Sequence, residues 1–169
     1  MNQSNLFQEY CIDACGILDF WDTRNRTRPY HVKVKAFRRI WDDISSKVDN
    51  GSIIVPKIVA GEIGAITSND ELKGWLNKNK KVFVDHNPYM GELEKIVNKY
   101  PIYTTNKGSL EDAIVVAIAM NNNLTVVTSE IYVKEHSAIK PKIPNVCEDF
   151  SVKSLKGFSP QLAARSLIQ

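Results

Sequence analysis

No apolar run in this 169-residue chain approaches the roughly 18 residues that a membrane-spanning helix needs. The opening stretch, Met1 to Glu9, has no basic region followed by an apolar one, so no secretory signal is expected and a cytoplasmic location is. Histidine is scarce, and cysteine is limited to Cys11, Cys15 and Cys147. None of the three forms a Cys-x-x-Cys pair or lies near a pair of histidines, which argues against a zinc cluster or a disulfide framework. All three read as small core residues in a reducing compartment. Repeats and low-complexity tracts are absent as well. The length suits one domain, 1–169, large enough to bury a proper core.

One absence is local. Between Thr23 and Trp41 there is no acidic residue, although the chain carries 19 in all. Arg24, Arg26, Arg28, Lys33, Lys35, Arg38 and Arg39 fall there, interleaved with Tyr30, Phe37 and Trp41. Lys73, Lys78, Lys80 and Lys81 form a second group around Trp75. Basic residues with aromatic neighbours suit a single-stranded polyanion, whose phosphates pair with the charges and whose bases stack. The plainer reading is a solvated helix face with its aromatics turned inward. Phe37 and Trp41, which share helical spacing with Ile44 and Val48, fit the plainer one.

What is present alternates. Tyr10-Cys-Ile, Ser52-Ile-Ile-Val55, Val82-Phe-Val84 and Leu124-Thr-Val-Val-Thr128 read as short strands, and Phe150 to Leu155 as a possible last one. Helical patterns separate them: a short one near Ile17 to Trp21, a long one from His31 to Asn50, then one from Pro56 to about Thr67. Another opens at Asn69-Asp70, and others cover Pro88 to Lys99 and Leu110 to Asn122. Residues 113–120 are apolar all round, as in a helix buried on several sides. Pro141 and Pro144 mark a loop. This order predicts an α/β fold with a mainly parallel sheet covered on both faces, whose sites form at the carboxyl ends of strands.

Four acids occupy such places. Asp13 ends the first strand, where it would serve equally as a helix cap. Glu62 lies on the helical wheel between Ile58, Val59 and Ile66, inside an apolar stripe, where a carboxylate wants a partner. Asp112 fits a capping box with Ser109, yet it also stands where a deeply buried helix begins. Glu130 follows the strand ending at Thr128, with Ser129 between them. It could open a helix over 131–135, or be oriented as a ligand by the two hydroxyls.

In this order and spacing, the four acids resemble those of the PIN-domain ribonucleases, in particular a little-characterised PIN-like group similar to toxins of type II toxin–antitoxin systems. The resemblance rests on Tyr10-Cys-Ile-Asp13, Ile54-Val-Pro-Lys-Ile-Val-Ala-Gly-Glu62, Leu110-Glu-Asp-Ala-Ile-Val-Val-Ala-Ile-Ala119 and Leu124-Thr-Val-Val-Thr-Ser-Glu130, over about residues 9–155, with 156–169 as a tail. It implies a three-layer α/β/α fold with about five strands. It also implies Mg²⁺ or Mn²⁺ held by Asp13, Glu62, Asp112 and Glu130, with Thr128 and Ser129 behind them. The implied activity is hydrolysis of RNA phosphodiester bonds, with a small antitoxin partner and a homodimer. Two departures stand out: Glu130 replaces the family's usual Asp, and the stretch carrying the basic cluster is longer than in the smallest members.

Three other readings are weighed on the same residues. A haloacid-dehalogenase-type phosphatase requires a second Asp where Cys15 stands. A receiver domain requires adjacent acids and a late lysine, neither of which is present. A PIN-like module that binds RNA or protein without turnover uses the same acids and stays open.

Overall fold

The β-branched pairs of Ser52-Ile-Ile-Val55 and Leu124-Thr-Val-Val-Thr128 form strands with little surface to spare for water, as a central parallel sheet requires. The computed structural model describes residues 8–25, 41–105, 107–134 and 141–155. Its strands are β1 (Tyr10–Ile12), β2 (Ile53–Pro56), β3 (Phe83–Val84) and β4 (Thr125–Val127), all parallel, in the order β3-β2-β1-β4. The helices are α1 (Ala14–Asn25), α2 (helical over 41–49), α3 (Lys57–Ile66), α4 (Asp70–Lys78), α5 (Met90–Lys99), α6 (Leu110–Asn122) and α7 (Ile143–Asp149). The fold is three-layer α/β/α.

Topology fixes the layers. From β1 the chain steps to β2 and then β3 on one side, and it returns to β4 on the other side of β1. Crossovers between parallel strands are right-handed, so the helices before β3 cover one face and those between β3 and β4 the opposite one. The strand order reverses between β1 and β4, which makes the carboxyl ends of these two strands the switch point. A helix joining parallel strands runs back down the sheet. The amino ends of α1, α3, α6 and α7 therefore gather at that same edge.

The core follows the pattern read from the sequence. All side chains from Ala113 to Ala119 are buried, and α6 packs against β1, β2, β4, α5 and α7. Trp41, Ile44 and Val48 are buried on α2. Trp41 packs between Trp21 and Trp75, with ring centroids 5.0 Å away in each case. Trp75 also donates its Nε1 hydrogen to Ser45 Oγ at 3.2 Å. It is partly buried and packs against this core cluster through Trp41.

Several expectations change. The fifth strand reduces to one parallel bridge, Val126 with Ser154, beside bonds from Val126 N to Lys153 O and from Leu155 N to Val126 O. Phe150 and Ser151 are used in ending α7, with Ser151 left-handed at φ 57°, so few residues remain to pair. The segment read as a proline-marked loop forms α7, with Pro144 in its first turn, where a missing N–H costs nothing. Pro56 closes β2 and does not begin α3. Residues 131–133 are not helical. Cys11 and Cys147 are buried as expected, but Cys15 is exposed. Among the described residues, no helix is long and apolar enough to cross a membrane.

Candidate acidic site at the switch point

Ile12 pairs with Val127 across β1 and β4, so Asp13 and Thr128 are the next residues in register. Their side chains meet. Thr128 Oγ1 donates to Asp13 Oδ2 at 2.7 Å, and Asp13 N donates to Val127 O at 3.1 Å. The other carboxylate oxygen, Oδ1, accepts from Gly16 N at 2.6 Å in the first turn of α1. That turn needs a glycine. A Cβ on Gly16 would meet Asp13 Oδ1 at 2.9 Å and Val127 O at 3.0 Å, closer than side chains tolerate. Asp13 is 3% exposed.

Burial pushes Asp13 up to about 7; the Thr128 and Gly16 bonds pull it down, and Glu130 and Asp19 raise it further. Asp112, half-buried in the first turn of α6, is also pushed up to about 7. Burial is the main cause, followed by the charges of Glu130 and Asp13, with the Ser109 hydroxyl working the other way. The two carboxylates and Glu130 thus share one field. The expected capping box does not form: Ser109 Oγ donates to Glu111 Oε2 at 3.1 Å, and no side-chain cap bond closes the amino end of α6.

Glu130 is engaged elsewhere. Its Oε1 accepts from Lys142 Nζ at 2.8 Å and its Oε2 from Ile143 N at 2.7 Å. Ile143 is the first residue of α7, so Glu130 caps that helix, where a carboxylate is favoured by the dipole and the free amides. Its own amide donates to Thr128 Oγ1 at 3.1 Å. Asn145, buried on α7, fixes the following loop by accepting from Val133 N at 3.1 Å and donating to Val133 O at 2.7 Å. Ser129 is half-buried beside it. Glu130 holds Lys142 protonated, raising its pKa through the hydrogen bond and the charge.

Glu62 is exposed, against the expectation of an apolar stripe around it. The buried arc of α3 is Val59, Ala60 and Ile63, while Ile66 is 62% exposed. Glu62 sits roughly 100° round the helix from that arc. It also lies five residues into a helix that descends from the sheet edge, about 8 Å at 1.5 Å per residue. Its charge still reaches Asp112, and slight burial and Glu111 raise its own pKa.

Three residues of this region carried no expectation of a functional role. Tyr103, in the turn Pro101–Thr104, is 3% exposed, and its hydroxyl has no hydrogen-bond partner among the described residues. Burial and the charges of Asp112 and Glu130 keep it protonated. Cys15 faces the same carboxylates, and burial with their charges pushes its thiol up to about 12, which makes it a poor nucleophile. Lys142, bonded to Glu130, brings a cation to the same acids. The basic cluster can be placed less fully. Arg24 belongs to α1 with its side chain outside the description, and Arg26, Arg28, Lys33, Lys35, Arg38 and Arg39 lie outside the described residues.

The donors suit a hard divalent cation in kind, being carboxylate oxygens with a hydroxyl behind them. Their arrangement is not closed. Among the described residues, no group of three or more His, Cys, Asp or Glu stands ready to hold a metal ion. Asp13 and Asp112 could supply carboxylate oxygens to such an ion, and Glu130 would have to leave Lys142 or the α7 amide to do the same. No curated protein matches the chain. The model of the family described as "Domain of unknown function (DUF4411)" matches residues 10–162, and the chain belongs to that family.

Proposed function

We propose that the chain is a metal-dependent endoribonuclease of PIN-like type, with Asp13, Asp112 and Glu130 facing Mg²⁺ or Mn²⁺ and Glu62 at the margin of the site. One observation carries this reading: acids after β1, in the first turn of α6 and after β4 lie near enough to the switch point for their charges to raise one another, with Asp13 and Asp112 pushed up to about 7. Buried carboxylates in one another's field ionise at a cost that a cation would offset. A bound divalent ion supplies a more acidic water and offsets charge on the phosphate. Thr128 and Gly16 hold Asp13 in one orientation. Tyr103 offers an unused hydroxyl at the same place, and the amino ends of α1 and α6 favour an anion. The basic residues from Arg24 to Arg39 are proposed to hold phosphates without reading sequence. A small antitoxin, a homodimer and a cytoplasmic setting follow from the PIN resemblance alone.

The capture of Glu130 by α7 and Lys142 favours a second reading, a PIN-like module that binds RNA or protein without turnover. Incubating the purified chain with mixed RNA and Mn²⁺, with and without chelator, separates the two. The nuclease gives metal-dependent cleavage that falls by about 100-fold or more in Asp13→Asn. Binding without cleavage across metals and pH assigns the chain to the second reading.

A further inference from the structure

The helix that carries Glu62 has a second flank, away from the acids. There α3 and α4 enclose a cavity of about 440 Å³ lined by Lys57, Ala60, Gly61, Gly64, Leu76 and Phe83, with Lys73 and Lys80 on its rim. That volume lies in the range of ligand sites, roughly 300–1,000 Å³. On a helical wheel Lys57, Ala60, Gly61 and Gly64 share one flank, and Glu62 falls on the other side of the buried arc. The cavity is thus separate from the acidic site.

Its floor is apolar and its rim cationic. Lys78 and Lys81 nearby are engaged by Asp49, the first by an ion pair at 3.8 Å and the second through Asp49 O at 2.6 Å. Lys57 pairs with Asp85 at 3.3 Å. Lys73 and Lys80 make no ion pair among the described residues. The two glycines are not needed by the fold. Neither has a positive φ, and a Cβ on Gly61 or Gly64 meets nothing within 4 Å. Glycine inside a helix costs about 0.5–1 kcal/mol relative to alanine, so the space over α3 is kept open at a cost to the chain. Gly74 has the same freedom but does not line the cavity.

We infer that this cavity docks an acidic amphipathic helix of a second protein, its aliphatic ridge on Gly61 and Gly64 and its carboxylates on Lys73 and Lys80. Charge decides the occupant. The stretches outside the described residues, 1–7, 26–40, 106, 135–140 and 156–169, contain one acid among them, Glu135. The 156–169 tail carries Lys156 and Arg165 and no acid, so the lysine rim repels it. A nucleic acid would find the lysines but little to stack on, since Trp75 is packed on Trp41 and Phe83 is the single aromatic residue in the lining.

The test uses the full chain and a labelled synthetic helix with leucines at i, i+3, i+4 and i+7 and glutamates on both flanks, read by fluorescence anisotropy. Its lysine counterpart and a single-stranded RNA are the comparison probes. The glutamate peptide is expected to bind the wild type, with affinity reduced about tenfold or more in Gly64→Leu and in Lys73→Glu/Lys80→Glu. The lysine peptide is expected not to bind. Gly64→Leu keeps or raises the melting temperature, which separates a filled cavity from a damaged fold. Three results overturn the inference: no binding of the glutamate peptide to the wild type, equal binding to Gly64→Leu, or RNA binding lost with the lysines but kept in Gly64→Leu. Self-association of the wild type that Gly64→Leu abolishes also overturns it, by making a second copy the occupant.

Discussion

Asp13 comes directly after β1 and Glu130 comes after β4 with two residues between, so the same pair of strands delivers both to one edge of the sheet. The sheet holds only the first. Asp13 has one oxygen on the hydroxyl of Thr128 and the other on the amide of Gly16, both fixed by the register of β1 and β4 or by the first turn of α1. Glu130 has one more methylene and two more residues of slack, and the free amide of Ile143 takes it. Near the end of a strand a carboxylate inherits the strand's precision. A few residues further on, the nearest helix amino end competes for it.

The largest expected effect lies in the protons of the buried acids. Asp13 and Asp112 bind theirs more tightly in the fold, at about 7, than in the unfolded chain, where Asp titrates near 3.9. Between these values the unfolded chain has released protons that the fold retains, so stability falls as pH rises from about 4 to 7. The slope approaches about 1.4 kcal/mol per pH unit for each group. Chemical denaturation at pH 5 and 8 without metal is expected to show the loss, and Asp13→Asn to reduce it. Asparagine keeps an acceptor for Gly16 and presents a donor to Thr128. An equal slope in wild type and Asp13→Asn would mean that Asp13 is not the group titrating.

A smaller effect is expected where the backbone holds Asp13. Gly16→Ala places a methyl against Asp13 Oδ1 and Val127 O, neither of which can move without disturbing the strand pair. The expected cost is about 1–3 kcal/mol, read as a lower denaturation midpoint at unchanged slope. A neutral result would show that α1 can withdraw from the sheet, and Asp13 would then be no better fixed than Glu130.

The smallest effect concerns Glu130. Lys142→Met removes an ion pair whose lysine is 46% exposed, and such pairs contribute at most about 1 kcal/mol. Stability should barely change. Mn²⁺ should bind more tightly, since one oxygen of Glu130 is released, and weaker binding would make the Glu130–Lys142 pair part of the site's support.

The same contrast explains which features could be read from residues alone. Asp13, the apolar α6 and the β-branched β4 are local patterns whose meaning survives folding. The exposure of Glu62 is hidden because Ile66 looks like part of a stripe, whereas the buried arc turns toward Ala60 and leaves Ile66 at an exposed helix end. The partner of Glu130 is hidden because Pro141, before α7, and Pro144, in its first turn, mark a break, and the capping amide is that of Ile143. Trp75 among lysines suggests a stacking platform until α2 is seen against it. Each miss depends on what lies across the fold, and neighbours in sequence do not report that.

Mn²⁺ titration followed by thermal unfolding at pH 8 tests the cation site most directly, with wild type, Asp13→Asn and Asp112→Asn side by side. Expected is a rise in the wild-type midpoint with Mn²⁺ that chelator reverses, that shrinks at pH 5 as protons compete, and that is lost in both variants. A midpoint indifferent to Mn²⁺ at pH 8, or an equal rise in the variants, would contradict a metal site at the β1–β4 switch point.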